Sequence, residues 1–126
     1  MAQTHRPIID RAVLIRPGHL TFDILMTNEC ATEIPSEIQH VEISYALDGT
    51  TRSERFAVIR VKVGPRRRWL SLTLVPSRPR NSCVLALFRQ KSHRIAMQCI
   101  TAVEISCRSG TTLPLKKRGT LLFPST

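Results

Sequence analysis

Four of five strand-like segments alternate apolar and polar residues, and a period of two is typical of β-strands with one buried face. The alternating segments are residues 20–26, 41–47, 56–63 and 69–75, and the fifth, residues 12–15, is a short apolar run. Four of the five are followed within two residues by Gly or Pro, and such residues end strands in turns. The strongest turn signal is Asp48-Gly49, because a two-residue hairpin turn needs positive φ at both positions.

The spacing of these turns predicts about six to eight short strands. We therefore expect a mainly β fold: a single-domain antiparallel β-sandwich or a barrel-like sheet with one or two short helices. Helices do not alternate regularly with the strands, which argues against a parallel sheet of α/β type.

The pattern beyond residue 76 is less regular. Residues 83–88 form a continuous apolar run that is short enough for a central strand, and we predict a strand there. Residues 92–107 are ambiguous between helix and strand. Since Ser92 suits the position before a helix, we favour a helix over 92–101 and a strand over 102–107. Within a single domain of residues 1–126, residues 108–126 are expected to be a loop or a mobile basic tail.

Charge adds a functional prediction to this fold. The chain carries 19 Lys and Arg against 9 Asp and Glu, a formal net charge of +10. Residues 1–54 hold four basic and eight acidic side chains, whereas residues 55–126 hold fifteen basic ones and a single acidic one, Glu104. Such an unbalanced half is typical of proteins that bind nucleic acid or an anionic membrane surface.

The basic residues of this half lie mostly in clusters near the ends of the predicted strands. Guanidinium groups suit phosphate oxygens, and the release of counterions makes such binding sensitive to salt. We predict that some clusters converge on one face and bind RNA or lipid headgroups. The predicted binding residues are Arg60, Lys62, Arg66, Arg67, Arg68, Arg78, Arg80, Arg89, Lys91, Arg94, Lys116, Lys117 and Arg118.

Sequence-specific reading of bases is not expected. Four of the aromatic residues, Phe22, Tyr45, Phe56 and Trp69, lie in strand patterns, which favours the core over a role as stacking platforms. RNA or lipid would then be recognised by charge and shape.

Motifs for catalysis or metal binding are not recognisable in the sequence, and we expect no enzymatic activity, no cofactor and no metal. The chain has no glycine-rich phosphate loop and no His-Glu-x-x-His or Gly-x-Ser-x-Gly motif. The four cysteines form no Cys-x-x-Cys pair and are expected to be buried free thiols of a reducing compartment. A small hydrolase with a site at Asp10, Asp23 and His19 is the weakest alternative. No apolar run approaches the roughly 20 residues of a membrane-spanning helix.

The chain resembles the small matrix proteins of non-segmented negative-strand RNA viruses, of the bornavirus type and their nyamivirus relatives. Three collinear stretches carry the resemblance. They are residues 13–24 with the turn Arg16-Pro17-Gly18, residues 69–75 with the following Pro79-Arg80, and residues 90–96 running through to Leu113-Pro114-Leu115. The chain is shorter than the bornavirus pattern, chiefly between residues 26 and 40.

The resemblance implies a fold akin to the amino-terminal domain of filovirus matrix proteins. It also implies self-assembly, commonly as tetramers, on the inner leaflet of the virion envelope, together with RNA binding of low sequence specificity. The corresponding locations are the virion beneath the envelope, the host cytoplasm or nucleus, and the inner face of the plasma membrane. The binding residues given above rest on charge alone.

A second pattern leaves an alternative open. Tyr45, Trp69-Leu70 and His93-Arg94-Ile95 faintly match an Sm-like or SH3-like barrel of the WYL type, a nucleic-acid-binding regulatory module. The middle tyrosine of the eponymous motif is absent here. Such a module would bind an oligonucleotide in a pocket and would not assemble on lipid.

Overall fold

The strands follow the predicted alternation, and the sheet that they form closes on itself. The computed structural model describes residues 6–16, 18–26, 38–65, 68–78 and 81–117. The elements are β1 (Ile8–Arg16), β2 (His19–Leu25), β3 (Ile38–Leu47), β4 (Thr50–Val63), β5 (Trp69–Pro76), α1 (Cys83–Gln90), α2 (His93–Cys99), β6 (Ile100–Cys107) and β7 (Thr112–Lys117). The prediction of a mainly β, barrel-like domain with one or two short helices is confirmed.

Around the closed barrel the strands run in the order β1-β2-β5-β4-β3-β6-β7. Neighbouring strands are antiparallel except for β1 and β7, which run parallel and pair through Ile8 with Lys116 and Ile9 with Lys117. We call this short contact the seam. Beyond it the backbone N–H of Ala12 in β1 donates a hydrogen bond to Nε2 of His93 in α2, at 3.2 Å.

Alternate residues of each strand point inward and form one apolar core. Leu70, Leu72 and Leu74 of β5 are buried there, together with Phe22 of β2 and Phe56 of β4. Burial of an apolar side chain of this size contributes about 1.5–3 kcal/mol. A shift of register by one residue would turn the inward set of a strand outward, so the core also fixes the strand pairing.

The predicted hairpin at Asp48-Gly49 is confirmed. The two residues have φ angles of 52° and 78°, the left-handed values that a two-residue hairpin turn requires. Because the turn is so short, β4 begins at Thr50, well before the predicted start at residue 56.

The apolar run at residues 83–88 forms helix α1, so the predicted central strand is wrong. Ser82 precedes the helix, and its hydroxyl accepts a hydrogen bond from the Leu85 N–H at 3.2 Å. Val84 and Leu87 are buried on the face that covers the barrel core. A short apolar run suits a helix and a strand equally by periodicity, and the capping serine is the signal that separates them.

Residues 92–107 form a helix followed by a strand, as favoured from the sequence. The hydroxyl of Ser92 accepts the Ile95 N–H at 3.3 Å, which confirms Ser92 as the capping residue of α2. The helix ends at Cys99, slightly before the predicted boundary, and β6 follows without a loop.

The expected carboxy-terminal tail contains a seventh strand. β7 pairs with β6 from Thr112 to Leu115, and Leu115 is buried. The prediction of a loop or mobile tail is therefore wrong for residues 112–117, whereas residues 118–126 lie outside the described residues. Pro114 obscured the strand in the sequence, because proline lacks the N–H that central strands use.

The two ends of the barrel differ. α1 and α2 connect the end of β5 to the start of β6, and they lie at the same end as the β3–β4 turn, which we call the helical end. The β4–β5 and β6–β7 turns lie at the opposite end, which we call the hairpin end. At about 3.3 Å per residue the eight residues of β5 separate these ends by roughly 23 Å.

Candidate polyanion-binding surface

The exposed surface of the described residues is strongly cationic. Twelve Lys and Arg side chains are exposed there, against one exposed carboxylate, Asp48; the other five described Asp and Glu residues are half-buried. The exposed cations are Arg11, Arg16, Arg52, Arg55, Arg60, Lys62, Arg68, Arg78, Arg89, Lys91, Arg94 and Arg108.

Glu54 illustrates how a carboxylate is withdrawn from this surface. It lies on β4 opposite the buried Ile43 and faces the start of α1. One carboxylate oxygen accepts the Val84 N–H at 2.8 Å, and the other accepts the Ser82 hydroxyl at 2.7 Å. An anion at this position satisfies an otherwise unpaired helix donor and interacts favourably with the helix dipole. Glu54 therefore helps to hold the start of α1 against the barrel.

Two more carboxylates are engaged on the outer wall of the barrel. Asp23 of β2 accepts a hydrogen bond from the Ser71 hydroxyl of β5. Glu42 of β3 pairs with Arg55 of β4, with 3.4 Å between Oε1 and Nε. Of Glu54, Asp23 and Glu42, only Glu42 forms an ion pair with a residue of the described ranges, so these three carboxylates compensate few of the exposed cations there.

The hairpin end combines apolar and cationic side chains. Trp69 is 38% exposed and Val63 is 41% exposed, and exposed Lys62 and Arg68 flank them along the chain. The prediction that Trp69 belongs to the core is wrong, because the inward residues of β5 are the leucines at alternate positions. A Cβ on Gly64 would approach the Cβ of Trp69 to 3.0 Å, so glycine allows the chain to pass close to Trp69 at this turn.

The outer wall of β4 extends this cationic surface towards the helical end. Arg60 lies opposite Thr73 and Lys62 opposite Ser71, and both cations are exposed, as expected from their alternation. A register shift between Val58 and Arg60 leaves Ile59 without a partner in the ladder and turns it outward, with 53% of its surface exposed. Such a bulge bends and twists the strand locally.

The helical end carries a second group of predicted cations. Arg78 follows β5, Arg89 and Lys91 lie at the end of α1, and Arg94 lies in the first turn of α2; all four are exposed. This group and Arg68 are at opposite ends of the barrel. The predicted clusters therefore form two groups joined by the β4 wall and do not converge on one end.

Lys116 and Lys117 differ from the other predicted cations because both are half-buried. The Lys117 ammonium donates hydrogen bonds to the carbonyl oxygens of Met97, at 2.8 Å, and of Ile100. Burial lowers the pKa of Lys117 below its ordinary value. Lys117 thus satisfies carbonyl groups at the end of α2, and the expectation that it lies on an open binding surface is wrong. Arg66, Arg67, Arg80 and Arg118 lie outside the described residues.

Sequence reasoning missed a groove at the helical end, which we call the β4 groove. It has a volume of about 610 Å³ and is lined by Tyr45, Arg52, Ser53, Glu54, Arg55, Ser77, Arg78, Asn81 and Cys83. Only Arg78 among these was predicted as a binding residue. The Asp48-Gly49 turn was the available signal, because a two-residue turn starts the return strand at residue 50 and so places Arg52 and Arg55 on it.

Tyr45 and Cys83 interact in the floor of the β4 groove. Burial, followed by a hydrogen bond with Cys83, raises the pKa of Tyr45 to about 12. Cys83 is half-buried and Cys107 is buried; both are free thiols, as is the half-buried Cys99. The expectation of buried cysteines therefore holds for Cys107 alone among the three described.

The residues of the alternative sites do not meet. His19 and Asp23 are four residues apart on β2, about 13 Å along the strand, so the proposed hydrolase site is not assembled. Tyr45 lies at the helical end and Trp69 at the hairpin end, so the residues that match the WYL-type pattern share no pocket. The described ranges contain no group of three or more His, Cys, Asp or Glu side chains placed to hold a metal ion.

Neither of the two described helices has the length and apolar character needed to cross a bilayer.

Comparison of the chain with protein-family models, curated proteins and solved structures finds no match.

Proposed function

We propose that this protein is a small viral matrix protein that binds anionic membranes peripherally, through its hairpin end. One observation carries the proposal: an exposed tryptophan and an exposed valine lie at the tip of the β4–β5 hairpin, next to Arg68 and Lys62. Tryptophan favours the boundary between lipid headgroups and acyl chains, where its ring has one apolar and one hydrated environment.

The cations at this end supply the electrostatic part of the interaction. Each Lys or Arg near an anionic leaflet contributes about 1 kcal/mol, within a Debye length of the surface. Lys62, Arg68 and the neighbouring Arg60 would together provide about 3 kcal/mol at moderate ionic strength. Binding is therefore expected to depend on anionic lipid and to weaken as salt rises.

The second group of cations suits the binding of RNA or a ribonucleoprotein, which a matrix protein links to the membrane. Arg89, Lys91 and Arg94 lie at the helical end, away from the proposed membrane contact. An RNA or a ribonucleoprotein held there by its phosphates would be bridged to the membrane by a single barrel. Self-assembly, commonly as a tetramer, completes the proposal, and it rests on the resemblance to bornavirus-type matrix proteins.

The fluorescence of Trp69 tests the membrane contact directly, because it is the only tryptophan of the chain. Vesicles with phosphatidylserine at low salt should pellet the protein and shift its emission to shorter wavelength, whereas vesicles of phosphatidylcholine alone should do neither. Neutralising two cations removes about 2 kcal/mol, so Lys62→Gln with Arg68→Gln should lower vesicle partition about 30-fold.

The matched control is Arg16→Gln with Arg89→Gln, which changes the net charge equally but lies at the helical end. It should retain most of the partition and the full emission shift. Emission that does not respond to phosphatidylserine, or an equal loss of partition in the control, would contradict the proposed orientation.

An Sm-like or SH3-like nucleic-acid-binding barrel is the second candidate. Closure of the seven strands and the exposed cations of the helical end favour it. It predicts tight, salt-sensitive binding of a single-stranded oligonucleotide together with indifference to the charge of vesicles. The same vesicle experiment, run beside an oligonucleotide titration, therefore separates the two functions.

A further inference from the structure

The first part of β4 has a strand edge that the barrel does not use. β5 ends at Pro76, opposite Phe56. Past this point the Ser77 N–H donates one more hydrogen bond to the Arg55 carbonyl, at 2.9 Å, and the chain then leaves towards α1. From Thr50 to Arg55, β4 is therefore paired with β3 on one side and has no strand neighbour on the other, among the described residues.

The direction of the Arg55 carbonyl identifies the backbone groups on this edge. Backbone groups along a strand point alternately to its two sides, and the N–H and C=O of one residue point the same way. Since the Arg55 carbonyl faces Ser77, the N–H and C=O groups of Ser53 and Thr51 face the same side. The edge thus presents donors and acceptors in alternation, which is the pattern that an added strand pairs with.

The β4 groove runs beside this edge, and its charge specifies what fits. Arg52 and Arg78 are exposed groove residues, and no ion pair of either is found within the described ranges. Glu54, the carboxylate of the groove, is already bonded to Val84 and Ser82. The groove therefore presents guanidinium groups beside an open strand edge.

We propose that the β4 groove binds an extended acidic peptide segment of a partner protein, which adds to β4 as a strand. Main-chain hydrogen bonds to Thr51 and Ser53 would provide affinity, and acidic side chains reaching Arg52 and Arg78 would provide specificity. The open segment of six residues spans about 20 Å, which accommodates a peptide of similar length. The proposal does not depend on membrane binding at the opposite end.

A peptide fits this edge better than the other polyanions do. Phosphodiester oxygens only accept hydrogen bonds, so phosphates that reach Arg52 and Arg78 could not pair with the carbonyl groups of Ser53 and Thr51. A second copy of this chain would bring together two molecules with a formal net charge of +10 each. An extended acidic peptide supplies carboxylates for the guanidinium groups of the groove and backbone donors and acceptors for its strand edge.

The test uses fluorescence anisotropy of the full chain with a labelled, capped peptide of alternating Thr and Glu. The same peptide with N-methyl groups on alternate residues keeps the charge but loses the donors that a strand edge needs. We expect binding of the first peptide, at least tenfold weaker binding of the N-methylated peptide, and no binding of a Thr-Lys peptide.

Variants locate the site. Arg52→Glu with Arg78→Glu should weaken binding at least tenfold, whereas the matched charge reversal Arg60→Glu with Arg108→Glu, on the β4 wall and at the hairpin end, should change it less than twofold. Slower hydrogen exchange of the Thr51 and Ser53 amides with peptide bound would support strand addition without any substitution.

Three results would overturn the proposal. Equal affinity for the N-methylated peptide would show attraction by charge alone. Full displacement of the peptide by an oligonucleotide at equal charge would identify a general polyanion site. Self-association that is abolished by Arg52→Glu with Arg78→Glu, in the absence of peptide, would assign the edge to a second copy of the chain.

Discussion

Replacement of Glu54 tests whether its carboxylate is needed to hold α1 on the barrel, or whether the capping residue Ser82 is sufficient. In Glu54→Ala the Val84 N–H and the Ser82 hydroxyl lose their acceptor, while the bond from Leu85 to Ser82 remains possible. Val84 is fully buried in the intact protein, so its N–H has little access to water as an alternative acceptor.

The magnitude follows from these contacts. A hydrogen bond to a charged group contributes about 1.5–3 kcal/mol, and leaving a buried donor unpaired costs about 1–3 kcal/mol. Because Glu54 is only half-buried, we expect the lower part of the sum, about 2–4 kcal/mol. With a urea m-value of about 2 kcal/mol/M, the midpoint of unfolding should fall by about 1–2 M.

Urea unfolding followed by circular dichroism measures this difference, and Glu42→Ala is the matched control. Glu42 forms an ion pair with Arg55, whose side chain is 59% exposed, and such surface pairs contribute about 0–1 kcal/mol. Glu54→Gln retains one carbonyl acceptor for Val84 and should lose roughly half as much stability as Glu54→Ala. A midpoint for Glu54→Ala no lower than that of Glu42→Ala would refute the role of Glu54 in holding α1.

Two further predictions concern groups with shifted pKa values. Lys117→Met should destabilise the fold by about 1–3 kcal/mol in urea unfolding, because two carbonyl groups lose their donor. It should leave the vesicle partition of the folded protein unchanged. A loss of partition like that of Lys62→Gln with Arg68→Gln would show that Lys117 contributes to membrane binding. Tyr45, the only tyrosine, has a pKa raised to about 12, whereas an unfolded chain ionises near pH 10. Because folding favours the neutral phenol, stability should fall as pH rises through this window. Tyrosinate absorbance that appears near pH 10 in the folded protein, or an equally steep fall in Tyr45→Phe, would contradict the burial of the phenol.

The sequence was most informative where local pattern and tertiary burial agree. Leu70, Leu72 and Leu74 alternate in the sequence and are buried in the barrel, and Asp48-Gly49 adopts the φ values that its residue types predict. The inward positions of β5 and the hairpin turn at Asp48-Gly49 therefore followed from periodicity and turn chemistry. Barrel closure did not, because it depends on two strands at opposite ends of the chain.

The errors have specific physical causes. Helix α1 was mistaken for a strand because its face towards the solvent is also apolar at Ala86, so no period of 3.6 stood out. Lys117 was grouped with the cationic tail because nothing local reveals that β7 brings its ammonium to the end of α2. Trp69 was assigned to the core because it lies in a strand pattern, although its place at the start of β5 leaves it near the tip of a hairpin.

The sequence shows the excess of cations but not how the fold distributes them. The described surface is cationic, but the cause is that carboxylates such as Glu54 and Asp23 are bonded within the fold, which composition does not reveal. The sequence also counted Arg52 with the acidic half, although the barrel places it in the same groove as Arg78.

The seam has a consequence for how the barrel forms. Its two residue pairs join positions more than 100 residues apart in the chain. Bringing them together therefore has the largest loop-closure entropy cost in the molecule, although it adds only a short stretch of strand pairing. The hairpins of β1 with β2 and of β3 with β4 can form early, and β5 then joins them into a curved open sheet. During synthesis on a ribosome that sheet cannot become a cylinder until residue 117 has emerged from the exit tunnel, so closure of the barrel follows the formation of its hairpins.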